Sequence, residues 1–76
     1  MQEIVEYLAK GLVDKPDEVR VERVERDGAV VLELHVAPDD VGKVIGRQGR
    51  IARALRTIVR ASGARSNERA LLEIVG

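Results

Sequence analysis

Apolar residues recur at helical spacing at the start of the chain: Ile4, Val5, Leu8 and Leu12 share one face, with Glu3, Glu6 and Lys10 on the others. The pattern predicts a helix over 2–13. Gly11 and then Asp14-Lys15-Pro16-Asp17 end it, because proline restricts the residue before it and donates no backbone N–H. Two β-branched runs follow, 18–26 and 29–37, joined by Asp27-Gly28. That dipeptide suits a two-residue type I′ turn, in which both central residues need positive φ. The turn sets a register with Val19 opposite Val36, Val21 opposite Leu34 and, on the other face, Val24 opposite Val31. It also sets Glu22 against Glu33, an unfavourable like-charge pair unless Arg20 reaches across. A slip of one residue would place Glu22 against Leu34, which is worse.

Pro38-Asp39-Asp40 reads as a helix start, with its acids near the positive end of the dipole. Val41, Val44 and Ile45 continue it at i, i+3 and i+4, and Gly46 stops it. A further helix is expected from Arg50 to Ser62, with Ile51, Leu55, Ile58 and Val59 inward and Gly63 as its C-terminal cap. Residues 68–75 alternate as a last strand, with Ala70, Leu72 and Ile74 on one face. The order is α-β-β-α-α-β. A right-handed crossover through the helix pair sets the third strand parallel to the second. The expected fold class is α+β: a three-stranded mixed sheet with helices packed on one face, in one domain spanning 1–76.

Composition narrows the function more than the fold. With 45% apolar and 34% charged residues the chain should fold rather than stay disordered. It has no cysteine, which removes disulfides, thiolate catalysis and cysteine-based zinc sites. No apolar run approaches the roughly 20 residues that span a bilayer. Met1-Gln2-Glu3 does not open a secretory signal. The expected place is the cytoplasm, without membrane insertion.

The net charge of zero conceals a division. Residues 1–41 carry 5 basic and 11 acidic side chains, whereas residues 42–69 carry 8 basic ones against Glu68 alone. A basic half within a neutral chain attracts phosphates locally.

The candidate site lies in that half. Two helices joined by Gly46-Arg47-Gln48-Gly49 need a sharp turn, and glycine reaches backbone conformations that cost other residues energy. The same glycines let a phosphate approach main-chain N–H groups, and the following helix adds free N–H donors and a partial positive charge. Arg47 and Arg50 bracket the turn, and Gln48 can donate a hydrogen bond. Arg50, Arg53, Arg56 and Arg60 form a stripe about 120° wide, since a helix turns about 100° per residue. A solvated face of an ordinary amphipathic helix is the bland alternative, but this helix has four arginines and no acid to pair with them.

An enzyme is hard to assemble from these residues. His35 stands alone mid-strand, where a structural role is commonest. Ser62 and Ser66 have no second histidine to activate them, and no Gly-Lys-Ser/Thr phosphate loop occurs. No cofactor and no metal are expected.

The run Val44-Ile45-Gly46-Arg47-Gln48-Gly49-Arg50-Ile51 resembles the GXXG loop of KH domains, which clamps nucleic-acid backbone between two helices. The element order resembles the type II KH fold. The whole chain, through Val36-Ala37-Pro38-Asp39-Asp40-Val41-Gly42-Lys43-Val44-Ile45, resembles the bacterial single-KH proteins of the KhpA family. The resemblance implies a small RNA-binding protein, an RNA chaperone or post-transcriptional regulator tied to cell-envelope growth and cell shape. It implies single-stranded RNA as ligand. It also implies a homodimer, or a heterodimer with a larger KH protein of the KhpB or Jag type.

Carried over by position, the RNA-binding residues are Lys43, Ile45, Gly46, Arg47, Gln48, Gly49, Arg50, Ile51 and Arg53. Val44, Leu55 and Val36 are weaker groove candidates, for which core packing is an equal reading. Ala52 stands where many KH domains place a large aliphatic residue. With Tyr7 the only aromatic, aromatic stacking platforms are excluded. Two further readings stay open: a protein-interaction module whose arginines meet an acidic surface, and a ribosome-associated assembly factor.

Overall fold

The computed structural model describes residues 1–76. Helix α1 spans Gln2–Lys10, with Glu3 in its first turn and Lys10 in its last, each at the helix end that favours its charge. It is shorter than the 2–13 expected, because the chain leaves the helix at Gly11. A single 3-10 turn at Pro16–Glu18 leads into strand β1, Arg20–Arg26, and then strand β2, Ala29–His35. Asp27 (φ 54°) and Gly28 (φ 78°) make the tight turn with both residues left-handed, as the sequence required.

The hairpin register is the expected one: Val21 pairs with Leu34, Glu22 with Glu33, Val24 with Val31. The ladder closes at Arg20 and His35, one pair short of Val19 and Val36. Glu22 and Glu33 are each relieved by an arginine. Arg20 Nε lies 2.8 Å from Glu22, and Arg26 bridges Glu33 at 3.4 Å and Glu73 at 2.9 Å. The relief is thus shared, with Arg20 serving its own strand neighbour.

A 3-10 turn at Pro38–Asp40 precedes helix α2, Val41–Ile45; a third, Arg47–Gly49, joins it to helix α3, Arg50–Arg65. Strand β3, Ala70–Val75, then pairs parallel to β2, giving sheet order β1-β2-β3. The helices pack on one sheet face. Val5 and Ala9 of α1, Val44 of α2, and Leu55 and Val59 of α3 meet Val30, Leu32 and Leu34 of β2 and Ala70 and Leu72 of β3. No helix is long and apolar enough to cross a membrane.

Two expectations about α3 are corrected. Gly63 is not its cap: the helix continues to Arg65, Ser66 caps it, and Asn67 takes the left-handed conformation (φ 56°). Gly63 is instead buried against β3. A Cβ there would stand 2.7 Å from the Ala70 Cβ and 2.8 Å from the Glu68 carbonyl oxygen. The inward face also runs through Ala52, Leu55, Val59 and Gly63, while Ile51 and Ile58 are only half-buried. Small residues at 52 and 63 let the helix lie close to the sheet.

Candidate nucleic-acid interface

The turn between α2 and α3 is built from three residues with positive φ in succession to a short helix. Gly46 adopts φ 77°, ψ 172°, Gln48 φ 57°, ψ 24°, and Gly49 φ 72°, ψ 16°. Gly46 is demanded twice over. Its backbone region is open essentially to glycine alone, and a Cβ would meet the Ile51 side chain at 2.7–3.0 Å. Gly49 faces open space, so only its φ calls for glycine. Hydrogen bonds close the turn, with the Gly46 N–H donating to the Gly42 carbonyl at 2.9 Å and the Gly49 N–H to the Gly46 carbonyl at 3.1 Å. Arg53 donates to the Gln48 carbonyl at 2.8 Å, and Arg50 to Gln48 Oε1 at 3.3 Å. The side chains of Arg47, Gln48, Arg50 and Arg53 are all exposed.

Behind the turn, α2 is anchored by a buried carboxylate. Asp40 is 1% exposed and accepts from the backbone N–H of Asp14 (3.3 Å) and of Lys15 (3.0 Å). Lys43 Nζ lies 2.6 Å from Asp14 and 3.4 Å from Asp40. Burial works against the charged form of Asp40, but the two N–H donors and Lys43 outweigh it and hold the carboxyl below its ordinary 3.8. The hydrogen bond to Asp14 leads in holding Lys43 above its ordinary 10.5, against desolvation and with help from Asp40. The Lys43 ammonium, a candidate for the phosphate on the sequence, also ties α2 to the loop after α1.

Because the folded carboxyl is the stronger acid, Asp40 contributes stability that is complete above pH 3.8 and is lost as pH falls through the lowered folded value. Urea unfolding from about pH 6 to about pH 3 should show the midpoint falling at the acid end. Asp40→Asn should lower the midpoint at neutral pH and flatten that acid decline.

The charges sort by position. All six basic side chains up to Lys43 sit on carboxylates: Lys10, Lys15, Arg20, Arg23, Arg26 and Lys43. All seven arginines from Arg47 onward have no acidic partner within 4.0 Å. Glu68, the one acid in the basic half, is drawn away to Arg23 at 3.0 Å.

The apolar candidates divide by burial. Ile45 is 37% exposed beside the turn and Ile51 half-buried, whereas Val44, Leu55 and Val36 lie in the core. The strand that borders the arginine helix is β3. A groove of about 370 Å³ is lined by Arg56, Arg60, Ala70, Leu71, Leu72 and Glu73. Sequence reasoning placed Arg56 and Arg60 in the stripe but missed the strand. The signal was available: a right-handed crossover leaves β3 at the free edge, beneath the helix that precedes it.

Comparison with known proteins shows the family of the chain. The family described as KhpA/KhpB, KH domain, matches residues 2–74. The chain is 55% identical over 75 residues to the RNA-binding protein KhpA of Aquifex aeolicus, covering 99% of this chain and 95% of that one. It is 51% identical over 75 residues to the protein of that name from Clostridium acetobutylicum, covering 99% and 100%. The Borreliella burgdorferi counterpart is 51% identical over 73 residues, covering 96% and 89%.

Proposed function

The chain belongs to the KhpA/KhpB family of KH domains, and from that premise we propose that it binds single-stranded RNA by its backbone, with modest base preference. Gly46 and Gly49 open the turn so that a phosphate reaches main-chain N–H groups at the start of α3. Arg47, Gln48, Arg50 and Arg53 surround that phosphate and its neighbours, and Ile45 and Ile51 offer an aliphatic surface to a base. Lys43 holds α2 in place and supplies background charge. The strand then runs along the groove between α3 and β3, past Arg56 and Arg60.

One observation carries this reading. Seven arginines from Arg47 to Arg69 are left without acidic partners in a chain that pairs every other basic side chain. Holding like charges together without counter-charge is unfavourable, and a polyanion relieves it. In that role the chain is a binding module acting on cytoplasmic RNA, as a chaperone or post-transcriptional regulator. A surface this small binds weakly alone, so self-association or pairing with a larger KH protein raises avidity.

Salt dependence tests the grip. For single strands the slope of log K against log salt is about −0.7 per phosphate neutralised. With three to five contacts, affinity for an oligoribonucleotide should fall roughly 20- to 100-fold between about 50 and 200 mM salt. A flat response contradicts a backbone clamp and favours a protein-docking role.

A further inference from the structure

Two features of the turn are unfavourable taken singly. Of the three non-glycine residues with positive φ, Asp27 and Asn67 are of the types that tolerate it, whereas Gln48 (φ 57°, ψ 24°) is not. The first turn of α3 holds Arg50 and Arg53 and no acid, although the positive end of a helix disfavours cations. The two misfits meet in one contact: the Arg53 guanidinium donates to the Gln48 carbonyl oxygen at 2.8 Å.

Backbone strain of this kind persists where surrounding contacts fix it, and it gathers at binding sites. We propose that Arg53 is a positioning residue for the RNA grip. Its side chain holds the Gly46-Arg47-Gln48-Gly49 turn in its binding shape, acting through the Gln48 main chain rather than on a phosphate. This role rests on the function proposed above and assigns Arg53 its part in it.

Helix geometry favours the contact. Side chains on a helix lean toward its N-terminus, so Arg53 reaches back over the first turn to residue 48. A hydrogen bond from a charged donor is roughly twice as strong as a neutral one. Arg50 adds a second hold on the same residue, at 3.3 Å from Gln48 Oε1, which leaves the Gln48 amide N–H donors for the ligand. A turn already in its bound shape removes an ordering cost from binding. For one residue's backbone that cost corresponds to about tenfold in affinity.

Arg53→Ala tests this, with Arg56→Ala, one turn further along the stripe, for contrast. Both side chains are exposed on α3 and alanine favours helix, so both variants should fold. NMR relaxation of the RNA-free protein reads the turn directly. Amide order parameters of Gln48 and Gly49 should lie near about 0.85 in the wild type and in Arg56→Ala, and below about 0.6 in Arg53→Ala. Arg53→Ala should bind a single-stranded oligoribonucleotide about tenfold more weakly. The slope of log K against log salt should stay at the wild-type value, because no phosphate contact is lost. A turn as rigid in Arg53→Ala as in the wild type overturns the proposal, as does an affinity that does not fall. Equal loosening in Arg56→Ala overturns it too, since the hold is then not specific to Arg53. A slope smaller by about 0.7 in Arg53→Ala makes Arg53 a phosphate contact and overturns its positioning role. A wild type that binds no RNA refutes the function proposed above and this role with it, whereas the other outcomes refute this role alone.

Discussion

Replacing Arg47 and Gln48 together with aspartate should lower affinity for single-stranded RNA by at least about 100-fold while leaving the fold intact. A charge-assisted hydrogen bond contributes about 1.5–3 kcal/mol, so losing the Arg47 contact alone approaches that factor. Two carboxylates at the mouth of the turn then repel the phosphate as well. The fold should survive because both side chains are exposed. Aspartate also tolerates the left-handed conformation that position 48 needs. A carboxylate at 48 still offers Arg50 the acceptor that Gln48 Oε1 provides, now with opposite charge. Fluorescence anisotropy with a labelled oligoribonucleotide, beside circular dichroism, separates the two effects. Unchanged affinity with an unchanged fold would mean that the turn is not the grip, and the proposed function would fall with it.

Gly46→Ala should destabilise the protein by about 2–4 kcal/mol, whereas Gly49→Ala should cost about 1 kcal/mol. Both residues have positive φ, so the difference comes from elsewhere. Gly46 lies at ψ 172°, where a side chain is strained, and its added methyl overlaps Ile51. Gly49 lies at ψ 16°, in the left-handed helical region that other residues visit, and its Cβ would enter open space. In a domain this size 1 kcal/mol moves Tm by about 4–8 °C, so Gly46→Ala should melt at least about 8 °C lower. Thermal unfolding of the two variants side by side checks it; equal losses would show that the Ile51 contact yields without cost. Since Ile51 also borders the turn, Gly46→Ala should weaken RNA binding beyond what its lower stability explains.

Much of this molecule is written in local patterns. The Asp27-Gly28 turn and the alternation on either side of it allowed one register, because a slip would have buried Glu22 against an apolar partner. The helix pair around Gly46-Arg47-Gln48-Gly49 followed from apolar spacing and from glycine's backbone freedom. What failed to show was long-range contact. Gly63 looked like a helix end because glycine usually marks one; its true constraint is Ala70, seven residues on and in another element. The ion pair of Lys43 was equally hidden, because Asp14, which holds it, is 29 residues distant.

By itself, then, the sequence determined the element order, the hairpin register, the glycine turn and the basic half, each of which depends on residues a few positions apart. Only the tertiary structure decided which charges are spent. It set every basic side chain up to Lys43 against a carboxylate and left the seven later arginines free. It also chose β3 as the strand beside the arginine helix. The physical reason is common to both. Ion pairing and grooves depend on distances of a few ångströms between elements, and a linear pattern encodes only the spacing within one element.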